Sequence, residues 1–363
     1  MSVVALCGVL AFGAVACGDD EEETAGASGG SDTGQSAKVA GNMAGAGSSA
    51  QAAAMEAWIA GFQEANPDAT VSYDPVGSGG GREQFVAGGV AFAGSDAHLA
   101  DDELTKAQER CGGADNLIEF PAYISPIAIA YNLDGVDGLQ LSPATLAGIL
   151  KGEITQWDDA KIKADNPYAD LPGDRITVVH RSDESGTTEN VQEYLAAVAK
   201  DVWDFEVSGD WPVKGQEAAQ GTSGVVDAIG AGKGTIGYAD LSQVGELKVA
   251  KIKVGEEFTE PSAEAAAAVV EASEETDDPG KYVFTYELAR DTTESGTYQI
   301  VLVSYELACT QYDDAKEADL VKAFYTHVLS PDGQKAAAEN AGSAPLSDAL
   351  RQKFQPAVDA IGG

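Results

Sequence analysis

Four short turns rich in glycine and hydroxyl residues are the part of this sequence best suited to binding an anion. Each turn lies where a strand should end or a helix should begin, so its backbone N–H groups remain available to a ligand. Hydroxyl side chains add donors, and the dipole of the following helix favours negative charge. Helix N-caps use the same residue types for structural reasons, so the prediction depends on the turns acting together. They occupy residues 45–51, 76–81, 93–96 and 181–188.

Charged residues in these turns define the chemistry further. Arg181 presents a planar fork of N–H donors that can bind two oxygens of one oxyanion. Asp183 is close enough in sequence to orient this guanidinium or to neutralise part of its charge. Asp96 is unexpected, because a carboxylate repels an anion, and we interpret it as the acceptor of a proton that the bound anion retains. Its alternative role is the N-cap of a helix that begins at Ala97.

Strands and helices that alternate along the chain must position these turns. The alternation predicts an α/β sheet architecture. The Ala- and Glu-rich segment 262–277 is predicted to be a surface helix or loop. The predicted strands are 70–73, 90–94, 124–132, 176–179, 235–238 and 298–305. The predicted helices are 52–64, 85–88, 101–110, 143–150, 188–200, 225–230 and 315–328.

The order and spacing of the four turns resemble those of the phosphate-binding proteins of bacterial phosphate ABC importers. The resemblance extends from about residue 39 to residue 358, and it includes Trp211-Pro212 and the segments 148–157 and 234–238. It implies the two-lobed α/β fold of periplasmic binding proteins, with a ligand cleft between the lobes and a first crossing between them at 124–132. The implied lobes are residues 38–122 plus 291–363 for lobe I and residues 123–290 for lobe II.

The same resemblance implies a set of phosphate contacts drawn from both lobes. Four positions depart from the family pattern. Ser49 lies where the family often has threonine, and it keeps the hydroxyl donor. Ala50 replaces an aromatic residue, Gly79 replaces a second serine, and His180 lies where a second arginine can occur. None of these changes removes a charged contact. The implied contacts are Ser49, Ala50, Ser78, Asp96, Arg181, Ser185, Gly186 and Thr187, with Asp183 supporting Arg181.

The function implied is capture of inorganic phosphate and its delivery to the membrane subunits of an ABC importer, by a monomer without cofactor, metal or catalytic activity. Asp96 would then select for phosphate, because monohydrogen phosphate can donate a proton that sulfate lacks at neutral pH. Two alternatives remain open. One is the binding of another oxyanion, such as sulfate, tungstate or molybdate. The other is a phosphatase that uses Ser185 as nucleophile with His180 nearby.

Net charge limits the possible partners. The 363 residues include 59 acidic and 22 basic side chains, for a formal charge of −37. A field of that sign repels nucleic acids and anionic lipid surfaces, so neither is an expected partner. It also repels free phosphate, but surface charge is screened over about 8–10 Å, whereas hydrogen bonds in a site act at contact range. Acidity should therefore slow capture without preventing it.

The first 17 residues resemble a bacterial lipoprotein signal peptide. The apolar run 3–16 is too short to span a bilayer, and it ends in small residues before Cys17, the position that a lipobox lipidates. No Lys or Arg precedes the run, which departs from the usual pattern. Residues 18–37 are predicted to be a flexible acidic tether. We therefore expect an extracytoplasmic protein that a lipid on Cys17 anchors to the cell membrane.

The remaining cysteines suggest a disulfide. Cys7 would be removed with the signal peptide and Cys17 would carry lipid, which leaves Cys111 and Cys309. An even pair in an oxidising compartment is expected to be linked. Two free buried thiols are the alternative.

Overall fold

Strands and helices alternate over most of the chain, as the sequence predicts. The computed structural model describes residues 38–276 and 280–362, so the predicted signal peptide, the tether and Cys17 lie outside the described residues. The strands are β1 (Gly41–Gly47), β2 (Ala69–Asp74), β3 (Phe92–Ser95), β4 (Leu117–Asn132), β5 (Gln140–Leu141), β6 (Thr177–Arg181), β7 (Glu217–Ala219), β8 (Thr235–Asp240), β9 (Lys248–Val249), β10 (Lys251–Val254), β11 (Glu257–Thr259), β12 (Glu274–Glu275), β13 (Tyr282–Val283), β14 (Tyr286–Glu287) and β15 (Val301–Cys309). The helices are α1 (Ala52–Ala65), α2 (Ser78–Val86), α3 (Asp101–Arg110), α4 (Pro143–Lys151), α5 (Ala160–Asp165), α6 (Gly186–Val198), α7 (Gly221–Ala231), α8 (Ala263–Glu271), α9 (Ala315–Leu329), α10 (Pro331–Ala341) and α11 (Asp348–Asp359).

One long strand connects the two parts of the main sheet. The strand order is β2-β1-β3-β15-β4-β8-β6-β7, with β9 and β13 also paired to β4. The segment of β4 from Leu117 to Pro126 pairs antiparallel with β15, and the segment from Ile127 to Asn132 pairs antiparallel with β8. We call β2, β1, β3 and β15 the first sheet half, and β8, β6 and β7 the second sheet half. The strand predicted at 124–132 therefore lies in the element that passes from one half to the other.

The two central strands are buried along almost their whole length. Every residue of β4 except Asn132 is buried, as is every residue of β15. Strands covered on both faces read as continuous apolar runs, which is why β4 is visible in the sequence. β15 was predicted from 298 to 305 but runs from Val301 to Cys309, because Glu306 interrupts its apolar run while its pairing with β4 continues to Cys309.

Further elements differ from the sequence-based expectation. The helix predicted at 85–88 is α2, which begins at Ser78 and so includes most of the predicted turn 76–81. The helices α5, α10 and α11 were not predicted. Strand β1 comprises the residues just before the first predicted turn and the first three residues of that turn, 45–47. It consists of Gly, Ala, Asn and Met and lacks the β-branched residues that signal a strand. The segment from 262 is a helix, α8, but one face of it is buried by packing on β4 through Ala265, Ala266, Val269 and Val270. Among the described residues, no helix has both the length and the apolar character needed to cross a bilayer.

Cys111 and Cys309 form the predicted disulfide. The bond joins the end of α3 to the end of β15, with a Cα–Cα distance of 5.2 Å, and both cysteines are buried. It therefore ties a peripheral helix to a central strand of the first sheet half.

We expect the double change Cys111→Ser and Cys309→Ser to lower the free energy of unfolding by about 2–4 kcal/mol. The disulfide joins residues 198 positions apart, so its loss gives the unfolded chain many more conformations. Urea denaturation of the chain without residues 1–17 measures the change. The unsubstituted protein in a reducing agent should match the double variant, and an unchanged midpoint in both would contradict this account.

Candidate functional site

The four predicted turns meet at one edge of the sheet. β1 and β2 pair in parallel, as do β1 and β3, so their carboxyl ends lie together. β6, in the second sheet half, ends at Arg181, directly before the turn that leads into α6. Open α/β sheets bind ligands outside the carboxyl ends of their strands. The sheet therefore brings the turns together where a ligand can contact both halves.

Asp96 lies in the middle of this cluster and is bonded from several elements. Ser304 Oγ donates to Asp96 Oδ1 over 2.7 Å, and Thr187 Oγ1 donates to Asp96 Oδ2 over 2.9 Å. The Asp96 N–H donates to Ser78 Oγ over 3.1 Å. Both carboxylate oxygens thus bond hydroxyls instead of backbone N–H groups, which argues against the N-cap role. Each oxygen has two lone pairs and can accept a further hydrogen bond.

Arg181 is buried and held by Asp183, as the sequence predicts. Arg181 Nε donates to Asp183 Oδ1 over 2.9 Å, and Arg181 Nη2 donates to Asp183 Oδ2. Burial raises the pKa of Asp183, but hydrogen bonds and the positive charge of Arg181 outweigh burial, so that its pKa is lowered overall. The Gly221 N–H also donates to Asp183 Oδ1 over 3.0 Å. Asp183 therefore fixes one edge of the guanidinium and leaves its remaining N–H groups for another acceptor.

Two glycines allow the turns of the two sheet halves to touch. Gly77 precedes α2 with a φ of +100°, and a Cβ there would lie 3.2 Å from Arg181 Nη2. A Cβ on Gly186 would lie 2.8 Å from Ser78 Oγ and 2.8 Å from the Ala97 nitrogen. Only residues without a side chain fit at this approach. Gly77 therefore lies against Arg181, and the next residue, Ser78, lies against Gly186 and bonds Asp96 directly.

The first turn makes its own contacts with the second sheet half. Ser49 Oγ and Thr222 Oγ1 share a hydrogen bond of 3.0 Å, and the Thr222 N–H donates to Ser49 Oγ over 3.1 Å. Gln243 Nε2 donates to the carbonyl oxygens of Ser49 and Ala50, each over 2.8 Å. The Ala50 N–H donates to Ser48 Oγ over 3.1 Å. The Ser49 hydroxyl therefore bridges the halves.

Ser185 and Thr187 occupy the start of α6. Ser185 is its N-cap, and its Oγ accepts from the Thr188 N–H over 3.2 Å. A hydroxyl that accepts still has a proton to donate, so Ser185 remains a possible ligand donor. Thr187 donates its hydroxyl proton to Asp96. Its backbone N–H lies in the first turn of the helix, where N–H groups have no partner within the helix and can bind a ligand.

Sequence reasoning missed several residues that complete the site. Thr222 lies in a fifth Gly- and hydroxyl-rich turn, 221–224, at the start of α7, and its composition matches that of the four predicted turns. Ser304 is a hydroxyl residue inside the apolar strand predicted at 298–305, which was a usable signal. Gln243 gave no signal, because it lies in a short turn remote in sequence from any predicted contact.

Arg82 adds an ion pair between the halves that the sequence did not indicate. Its side chain is 6% exposed, and its Nη2 donates to Glu184 Oε1 over 2.8 Å. Arg82 also bonds Glu103 over 2.7 Å and Ser95 over 2.9 Å. A Cβ on Gly79 would clash with the Glu184 carboxylate, so the glycine that replaces the family's second serine makes room for this pair.

One strand belongs to both halves of the sheet, and a polar cluster lies between the halves. This arrangement defines a solute-binding protein of the periplasmic-binding-protein class. The family model described as PBP superfamily domain matches residues 32–332. A solved high affinity periplasmic phosphate-binding protein (PfluDING), bound with phosphate, superposes with a TM-score of 0.69 at 22% identity, covering 88% of this chain and 99% of that chain. The phosphate-binding protein from Stenotrophomonas maltophilia superposes with a TM-score of 0.67 at 22% identity, covering 87% and 94% of the two chains. These neighbours share the two-lobed α/β fold that the sequence predicts.

Curated relatives narrow the class. The phosphate-binding protein PstS3 of Mycobacterium bovis (strain BCG / Pasteur 1173P2) is 37% identical over 98% of each chain. PstS 3 of Mycobacterium leprae (strain TN) is 34% identical over 98% of each chain. The chain therefore belongs to the family of phosphate-binding proteins of phosphate ABC importers.

We expect Gly186→Ala to lower the free energy of unfolding by about 1–3 kcal/mol, because the added methyl group would overpack the contact with Ser78 and Ala97. Urea denaturation measures the change. The control is Gly224→Ala on α7, where the new Cβ would meet nothing closer than 3.6 Å. That change should leave the protein as stable or more stable, since alanine favours a helix over glycine by about 1 kcal/mol. Equal stability of both variants would contradict the close approach at Gly186.

Proposed function

We propose that this protein captures inorganic phosphate between its two sheet halves and delivers it to the membrane subunits of an ABC importer. The observation that carries the proposal is the position of the Gly77-Ser78 pair: Ser78 bonds Asp96 and lies against Gly186, and Gly77 lies against Arg181. A carboxylate acceptor, a guanidinium and two helix N-termini thus lie close together. Membership of the phosphate-binding family and the phosphate-bound neighbours support the same ligand.

The predicted contacts can satisfy a small tetrahedral anion. The first N–H groups of α2 and α6 have no partners within their own helices, and both helices begin at this cluster. Arg181 adds charge-assisted donors on the side that Asp183 does not occupy. We propose that Ser49, Ala50, Ser78, Arg181, Ser185, Gly186 and Thr187 donate to phosphate oxygens, and that Asp96 accepts a proton from the ligand.

Contacts between the halves explain how ligand binding would favour a closed form. Ser49 with Thr222, Asp96 with Thr187, and Arg82 with Glu184 all join the two halves. A ligand that bonds both sides stabilises the closed form relative to an open one. We propose lobes of residues 38–122 plus 291–363 and residues 123–290, joined by a hinge, and a closed form that docks on the permease.

We also propose that the protein acts outside the cytoplasm as a monomer, anchored by lipid on Cys17. The supporting observation is the lipobox-like sequence that ends at Cys17, together with the disulfide expected of an oxidising compartment.

Catalysis is not needed to account for these residues. Ser185 Oγ serves as the N-cap of α6, and His180 stacks on Trp211 with ring centroids 5.4 Å apart. His180 Nδ1 lies 2.8 Å from the Arg181 carbonyl oxygen, so neither contact directs the imidazole toward Ser185. This arrangement favours binding over the phosphatase alternative, which requires a base that bonds its nucleophile.

We expect Arg181→Ala to weaken phosphate binding at least tenfold, about 1.4 kcal/mol, because the site loses its only charge-assisted fork among the proposed contacts. Isothermal titration calorimetry measures the dissociation constant. Arg175→Ala is the matched control, since Arg175 is an exposed arginine near the opposite end of β6. An unaltered dissociation constant for Arg181→Ala would remove this residue from the site.

We expect Asp96→Asn to narrow the preference for phosphate over sulfate, because an amide can donate to the unprotonated oxygen of sulfate whereas a carboxylate cannot. Competitive titrations with phosphate, sulfate and arsenate measure the ratio of affinities. Asp102→Asn, an equal change of charge on exposed α3, is the control and should keep the preference. A preference that survives Asp96→Asn would show that another group distinguishes the two anions.

A further inference from the structure

Arg82 on α2 is a buried arginine that bonds two of the turns around the proposed site. Its side chain is 6% exposed. Arg82 Nη1 donates to Ser95 Oγ over 2.9 Å, and Arg82 Nη2 donates to Glu184 Oε1 over 2.8 Å. Ser95 directly precedes Asp96, at the end of a strand of the first sheet half. Glu184 directly precedes Ser185, in the turn that follows the second sheet half. One guanidinium therefore joins a turn of each half.

A second carboxylate would keep Arg82 paired when the halves separate. Arg82 Nε donates to Glu103 Oε2 over 2.7 Å, and Glu103 is on α3, which contacts α2. Both helices follow strands of the first sheet half, so this bond does not cross between the halves. A buried guanidinium without a carboxylate would be very unfavourable. The bond to Glu103 therefore allows the bond to Glu184 to break at a moderate cost, since Glu184 is 36% exposed and water can hydrate it.

The Glu184 carboxylate fits between two glycines, one on each side. A Cβ on Gly79, in the first turn of α2, would lie 1.2 Å from Glu184 Oε2. A Cβ on Gly209 would lie 2.3 Å from Glu184 Oε1. The first turn of a helix also favours a carboxylate, because its N–H groups carry partial positive charge. A side chain at Gly79 would displace this carboxylate from Arg82.

We propose that Arg82 and Glu184 form a latch that holds the two halves closed over bound phosphate and slows its release. This inference rests on the proposed function. Arg82 is a positioning residue, because each of its three nitrogens bonds a protein group. Of these three bonds, the one to Glu184 crosses between the halves. Phosphate enters the open form, where the latch is absent, so the latch should act on dissociation and not on association.

The test compares two carboxylates that bond the same guanidinium. Glu184→Gln removes the charge that reaches Arg82 from the other half, and we expect it to raise the dissociation rate constant of phosphate about fivefold. Glu103→Gln removes an equal charge within the first half and should change that rate constant less than about twofold. The association rate constant should change less than about twofold in both variants. Stopped-flow tryptophan fluorescence measures both rate constants.

A second variant breaks the same ion pair from the other side. In Gly79→Ala the methyl group takes the place of the Glu184 carboxylate, which can rotate away because it ends a flexible side chain. We expect about the same rise in the dissociation rate constant. Combined with Glu184→Gln, the two effects should not add, since both remove one interaction. The control is Gly80→Ala, whose Cβ would lie against Val76 and not against Glu184, and it should change release less than about twofold.

The outcomes separate the latch from the proposed function. An unchanged dissociation rate constant in Glu184→Gln, with phosphate still bound, would overturn the latch alone. An equal rise in Glu184→Gln and Glu103→Gln would also overturn it, because the effect would then follow from charge near Arg82 and not from a bond between the halves. Fully additive effects of Gly79→Ala and Glu184→Gln would do the same. No phosphate binding by the unsubstituted protein would instead refute the proposed function, and this inference with it.

Discussion

The site depends on a carboxylate that is buried where an anion is expected to bind. Asp96 can remain there because hydroxyls from both sheet halves donate to it: Ser304 from β15 and Thr187 from α6. These bonds compensate for the loss of hydration, which would otherwise make a buried charge very unfavourable. Both bonds can form only when the two halves lie close together in one fixed relative position. The hydrogen bonds that stabilise the carboxylate therefore also determine how the two halves approach each other.

The sheet fixes this relative position of the two halves. β4 belongs to both halves, and β15 runs beside it, so the segments that carry Asp96, Ser304 and Arg181 are positioned by one continuous buried framework. The glycines at 77 and 186 then let the turns approach until backbone and side chain touch. A rigid framework with close contacts at its edge is suited to selecting a small ligand by hydrogen-bond geometry.

Electrostatics at the site differ from those of the whole chain. The formal charge is −37, yet the groups around the proposed ligand are helix N-termini, hydroxyls and a guanidinium whose partner carboxylate lies on one side. Burial also raises the pKa of Glu306, so a carboxyl beside the site need not add negative charge to it. Local donors, and not net charge, determine what such a site accepts.

The sequence by itself determined the α/β class and the disulfide partners, and it predicted the turns of the proposed site. These features depend on local patterns: an apolar run such as β4, small and hydroxyl residues before a helix, and an even pair of cysteines. Only the tertiary structure decided that Thr222, Gln243 and Arg82 reach the site, because their partners lie remote in sequence. It also decided that Glu306 is buried, since the burial of a charged residue depends on what packs around it and not on its neighbours in the chain.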